Sequence, residues 1–195
     1  MSVSLQKGQR ISLKKESGDS LTKVVMGIGW DAKKTGGVLG FLFGDTGGSI
    51  DLDASCILFD EANHMTDAVW FKQLKSHDGS IIHTGDNRTG DGDGDDEQII
   101  VNLSAIPATV NTLMFVVNNF TGQSFNKVEN AYCRIINAVN NKEIAKYNLN
   151  CNGNHTAMIM AKIYRHDNEW KIHAIGESAD GRTFQDIMPA MSPYL

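Results

Sequence analysis

Apolar residues recur along this chain mostly at a period of two, not of three or four. Ile50, Leu52, Ala54, Cys56 and Leu58 alternate with Asp51, Asp53, Ser55, Ile57 and Phe59, the pattern of a half-buried strand with one inward and one outward face. On this reading Asp51 and Asp53 share one face. Similar short runs occur at 3–13, 21–30, 69–74, 98–103, 113–118, 128–139, 144–149, 157–165 and 169–176. Nineteen glycines and many Asn/Asp pairs punctuate them, as short strands joined by turns require. The pattern predicts an all-β fold, a β-sandwich of short, mostly antiparallel strands in a single domain spanning 1–195. Helix is scarce. Residues 104–110 have room for a turn or two, and 183–191 predict a short terminal helix that Pro189 and Pro193 would stop.

Charge changes the picture once it is partitioned. The chain carries 23 acids and 18 bases. The thirteen residues from Gly85 to Glu97 hold six of those acids (Asp86, Asp91, Asp93, Asp95, Asp96, Glu97) and one base, Arg88, leaving 17 acids and 17 bases elsewhere. The net acidity is therefore local, which points to a site that expects cations and not to a generally anionic surface. No basic stripe with interleaved aromatics marks a nucleic-acid partner. No apolar run reaches the roughly 18 residues of a membrane span, and 1–15 lacks the apolar centre of a secretory signal, so the chain reads as cytoplasmic. Cys56, Cys133 and Cys151 are odd in number and contain no C-x-x-C pair; reduced, structural thiols are expected. The six histidines show no metal-ligand spacing and are expected in surface or hydrogen-bonding roles.

An acidic run on a surface is commonly a solvated turn. Here the regular glycine spacing and further carboxylates on other segments, Asp31 and the Asp51/Asp53 pair, favour a ligand shell. Carboxylates about 4 Å apart repel by roughly 4 kcal/mol at an effective dielectric near 20, and a divalent ion reverses the sign of that interaction. Oxygen-only donors select calcium or magnesium, and a flexible loop that brings in glycine carbonyls suits the six to eight ligands of calcium. The loop is not an EF-hand. Placing Asp86 first puts Glu97 at the twelfth position, but Asp91 then falls where glycine is obligatory, and a strand follows instead of a helix.

Four blocks in one order carry a resemblance: Gly29-Trp30-Asp31, Asp51-Leu52-Asp53-Ala54-Ser55, His83-Thr84-Gly85-Asp86-Asn87-Arg88-Thr89-Gly90 running into Gly94-Asp95-Asp96-Glu97, and Val128-Glu129-Asn130-Ala131-Tyr132-Cys133-Arg134. Together they resemble the TerD family of tellurium-resistance and stress proteins, which implies a bacterial source. The resemblance further implies a β-sandwich with adjacent calcium sites, a cytoplasmic location, and a role in resistance to tellurite beside other Ter proteins at a membrane-associated complex. The metal ligands it implies are Asp86, Asn87, Asp95, Asp96 and Glu97, with Asp31, Asp51 and Asp53 facing them and Gly92 contributing from the loop. Asp91 and Asp93 stand where the family's spacer varies.

The leading functional reading is a calcium-ordered binding or scaffold module that is not an enzyme. No G-x-S-x-G elbow, Walker loop or H-E-x-x-H is present. A calcium-assisted hydrolase using the same carboxylates is one alternative. A C2-like module bridging calcium to anionic lipid is another; it needs apolar or basic loop tips, and the loop offers only Arg88. Direct tellurite binding at the acidic loop is disfavoured, since both are anionic.

Overall fold

The alternating segments fold into strands of two stacked sheets. The computed structural model describes residues 2–14, 21–32, 51–85, 94–149 and 153–195. In chain order the strands are β1 (Val3–Ser4), β2 (Arg10–Ser12), β3 (Lys23–Ala32), β4 (Leu52–Asp60), β5 (Met65–Val69), β6 (Ile81–His83), β7 (Glu97–Asn102), β8 (Val110–Asn119), β9 (Val128–Asn137), β10 (Lys142–Asn148), β11 (Ala157–His166) and β12 (Glu169–Ala179). One sheet runs β1-β10-β9-β3-β7-β6, the other β2-β12-β11-β8-β4-β5. The β1–β10 pair is parallel; the other neighbours are antiparallel. The predicted sandwich is therefore the fold, and no helix among the described residues is long and apolar enough to cross a membrane.

The main core lies between the sheets, where Met26, Ile28, Ile99, Val101, Phe115 and Ile135 are buried together. A second apolar layer forms on the outer face of the second sheet. There Ile57, Phe59, Met114, Val116 and Ile159 pack beneath Phe184, Ile187 and Met191 of the C-terminal helix, Phe184–Met191. Thr183 and Asp186 close a capping box at its start, satisfying backbone donors that a helix leaves open.

That layer corrects a solvent-facing reading of Asp53; Asp51 stands just before β4 and is half-buried. β4 sits between β8 and β5, and the alternate positions that would have been its wet face are covered. Ser55, Ile57 and Phe59 are buried, and Asp53 is only 3% exposed. Period two locates the strand but does not say that a helix shields its second face.

Other boundaries also differ. The run 3–13 divides at a turn, where Gly8 takes φ +81°, into β1 of one sheet and β2 of the other. The strand expected at 69–74 lies earlier, as the edge strand β5, and 70–73 turn back on themselves through reciprocal backbone bonds between Trp70 and Gln73. The helix continues through Pro189 to Met191 and tightens to a 3-10 turn at Ser192–Tyr194, which contains Pro193.

Candidate functional site

The acidic segment joins β6 to β7, and its described ends are fixed on both sides. At the leading end His83, 3% exposed, accepts the Gly85 N–H on Nδ1 (3.1 Å). A ring nitrogen that accepts a backbone N–H keeps its lone pair, which puts the imidazole proton on Nε2. That atom lies 3.4 Å from Glu97 Oε2. One histidine therefore touches the start and the finish of the loop. Thr84 N–H adds a bond to the Gln98 carbonyl (3.0 Å).

At the trailing end three consecutive acids are held in three different ways. Glu97 opens β7 opposite Ile28 of β3 and is 1% exposed. Its Oε2 accepts the Ala54 N–H (2.7 Å). β5 pairs with β4 only between Cys56 and Phe59, so Ala54 lies beyond the covered part of that edge. The carboxylate thus ties the two sheets together. Asp96 donates its N–H to the Ile28 carbonyl and accepts the Trp30 N–H on Oδ2, both at 2.8 Å. Its side chain prolongs the β3–β7 ladder as far as Trp30, where the charge of Asp31, the next residue, acts on it. Asn130 Nδ2 in turn donates to Asp31 Oδ2 (2.8 Å).

Asp95 turns to the outer face of its sheet. Its Oδ1 accepts from Arg134 Nε (2.7 Å) and lies 3.2 Å from the Tyr132 hydroxyl, while Oδ2 accepts from Gln98 Nε2 (3.2 Å). The Tyr132 hydroxyl also reaches the Gly94 carbonyl (2.7 Å). β9 supplies both residues because Tyr132 pairs with Gly29 and Arg134 with Gly27. The two glycines leave a bare strip. A Cβ at Gly27 would overlap the Asp95 carboxylate, and one at Gly29 would come within 2.5 Å of the Tyr132 ring, so side chains there would displace the acid and its clamp.

The electrostatics follow from this crowding. Burial raises the proton affinity of Asp96, the Trp30 N–H opposes it, and the like charges of Asp31, Asp95 and Glu97 raise it further. Burial and then the Asp95 charge push the Tyr132 hydroxyl up to about 12, while its bond to Asp95 raises Arg134. The charges of Asp31, Asp95 and Glu97 thus all reach Asp96, although Glu97 turns inward to Ala54 and Asp95 outward to Arg134. β4 reaches the same corner through its backbone at Ala54, one residue after Asp53, and Asp51 stands just before that strand. Asp86, Asn87 and Gly92 lie outside the described residues. Among the described residues no three His, Cys, Asp or Glu side chains form a group that could hold a metal ion.

His83, Tyr132 and Arg134 were missed as site residues in the sequence, although all three fall inside the quoted blocks. Cys56 and Cys133 are buried free thiols; burial pushes Cys133 up to about 12 and Cys56 higher still, which suits structural thiols. Cys151 lies outside the described residues.

A model of the TerD domain matches residues 1–189. The chain belongs to the TerD family. It is 48% identical over 185 residues to the tellurium resistance protein TerZ of Serratia marcescens, an alignment covering 95% of this chain and 94% of that one. The stress response protein SCP2 of Bacillus subtilis (strain 168) is 42% identical over 199 residues, covering 96% and 98%, and the tellurium resistance protein TerD of Serratia marcescens 40% over 189 residues, covering 93% of each. Among solved structures, a Streptomyces coelicolor A3(2) homologue of telluride resistance protein (TerD) superposes with a TM-score of 0.68 at 17% identity, covering 85% of this chain and 95% of that one, a likeness of fold. This TerD-family chain therefore shares tellurium-resistance and stress-response membership with its relatives.

Proposed function

We propose that this TerD-family protein is a calcium-ordered binding module of the tellurium-resistance and stress-response system, acting in the cytoplasm and presenting its acidic loop to other Ter proteins without catalysing a reaction itself. The observation that carries the reading is the like charge gathered around Asp96, whose carboxylate is held on the Trp30 N–H and is acted on by Asp31, Asp95 and Glu97. Such a set of carboxylates is destabilising on its own and favourable around a hard cation.

Asp31, Asp96 and Glu97 would hold the ion with Asp86, Asn87 and the Gly92 carbonyl from the loop, and Asp51 and Asp53 would add oxygens from the start of β4. Calcium supplies the positive charge that offsets their repulsion. An all-oxygen donor set fits calcium by charge and hardness. Asp95, whose oxygens already face Arg134, Tyr132 and Gln98, anchors the loop to β9 and would join the shell only by giving up one of those partners. His83 supports the reading from the other end, since it holds Gly85 and lies 3.4 Å from Glu97.

Asp96→Asn tests this assignment. Asparagine keeps an acceptor for the Trp30 N–H and removes only the charge, so the variant is expected to fold. In a calcium titration followed by intrinsic tryptophan fluorescence its affinity should fall at least tenfold. A folded Asp96→Asn protein that titrates like the parent would remove Asp96 from the shell and with it the proposed geometry.

A further inference from the structure

We propose that the outer face of the second sheet, where β2, β12 and β11 lie side by side, binds a small oxyanion, at a site separate from the acidic corner and independent of calcium. A cavity of about 580 Å³ opens there, lined by Arg10 and Ser12 of β2, Lys171 of β12, and Lys162, Tyr164 and His166 of β11.

Strand register builds the site. His173 pairs with Arg10 on one side and Lys162 on the other, and two residues along, on the same face, Lys171 pairs with Ser12 and Tyr164. Residues directly opposite in antiparallel strands have Cβ atoms about 4.5–5.5 Å apart, and like charges so placed destabilise a sheet. In the row Arg10–His173–Lys162 the two cations flank a histidine across one strand, close enough for Arg10 to disfavour the Lys162 charge. Arg10 and Lys162 form no ion pair with a carboxylate among the described residues. The acids at the rim hold the other lining residues, Asp167 at 3.4 Å from Lys171 and 2.6 Å from His166 and Glu169 on the Ser12 hydroxyl (2.7 Å), which leaves Arg10 and Lys162 as the cations offered to an anion.

Two groups on this face are held unfavourably. Burial, and then Arg10, disfavour the Lys162 ammonium. His173 is 7% exposed, and its buried Nδ1 has no hydrogen-bond partner among the described residues. Burial, and then Arg10 and Lys162, lower its pKa to about 4, so at neutral pH it adds no charge. A compact anion with three or more oxygens relieves both cations at once, taking charge-assisted hydrogen bonds from Arg10 and Lys162 and a weaker one from the Tyr164 hydroxyl. Phosphate and tellurite share this chemistry, and the cavity has room for either. The acidic loop, by contrast, would repel both.

The test is calorimetric titration of the full chain with inorganic phosphate and, separately, with tellurite, at low ionic strength and with chelator present so that calcium plays no part. Saturable binding of at least one anion is expected, weakening as salt rises, and the arm that binds identifies the source. Arg10→Gln with Lys162→Gln should weaken it at least tenfold. The free double variant should melt no lower than the parent, because the substitutions remove a repulsion. Lys162→Gln alone should weaken binding in the same direction, which keeps the test decisive if the double variant folds poorly. Absence of saturable binding of either anion, or equal affinity in parent and variants, would overturn the site and leave the calcium reading untouched.

Discussion

Stripping calcium with a chelator is expected to lower the melting midpoint of this protein by about 5–10 °C relative to a sample with calcium at a hundredfold excess over Kd. A ligand that binds only the native state stabilises it by RT ln(1 + [L]/Kd), about 2.7 kcal/mol at that excess for one site. For a chain of 195 residues each kcal/mol moves the midpoint by about 2–4 °C. The sign follows from the acidic corner. Asp96 binds its proton more tightly folded than unfolded, above its ordinary value of 3.8, so its contribution to apo stability falls as pH rises through that interval and the carboxylate opposes folding at neutral pH. Calcium reverses the effect by attracting the same charge. High salt should recover part of the loss by screening the repulsion. Thermal melts by circular dichroism, with calcium, chelator, and chelator plus salt, check all three outcomes; a midpoint indifferent to calcium and chelator would contradict the linkage.

Glu97→Ala is expected to cost about 2–5 kcal/mol of stability even without calcium. The Glu97 carboxylate is a buried link between sheets, with Ala54 N–H at 2.7 Å and His83 Nε2 at 3.4 Å. Alanine leaves a buried donor without its acceptor, at about 1–3 kcal/mol, and opens a cavity whose cost adds to that. Glu97→Gln separates the two roles of the residue. Glutamine keeps an oxygen for Ala54, so its stability loss in chelator should be clearly smaller, while the lost charge should still weaken calcium binding. Urea unfolding of the parent and both variants measures the difference. Equal losses for alanine and glutamine would mean that charge, and not the hydrogen bond across the sandwich, is what the position supplies.

Much of this architecture was legible in the chain because strand burial imposes a period of two, and β7 to β12 fall close to the alternating runs that predict them. What the pattern missed depends on distant neighbours. Asp53 reads as wet because alternation cannot reveal that the C-terminal helix covers the second face of β4. β6 is three residues long, too short to show a period, so His83 looks like one more unassigned histidine until the β6–β7 hairpin brings it to Glu97. Tyr132 and Arg134 stand in the family block, but their role appears only when β9 settles beside Gly29 and Gly27 of β3. The carboxylate cluster was legible from composition alone, since so much acidity falls in one short stretch. The different tasks of its members were not: Asp95 pins the loop to β9, Asp96 extends a strand ladder, and Glu97 bridges two sheets. The basic row on the opposite sheet was invisible for the same reason, since Arg10 is far in sequence from Lys162 and His173 and joins them only through register.

The central claim, that the acidic corner binds calcium, is tested most directly by isothermal titration of calcium into the full-length, metal-free chain at low ionic strength. The account predicts saturable binding of at least one ion per chain with a Kd between about 10⁻⁷ and 10⁻⁴ M, unaffected by an equal concentration of magnesium. The absence of saturable heat up to millimolar calcium, with the protein folded throughout, would contradict it.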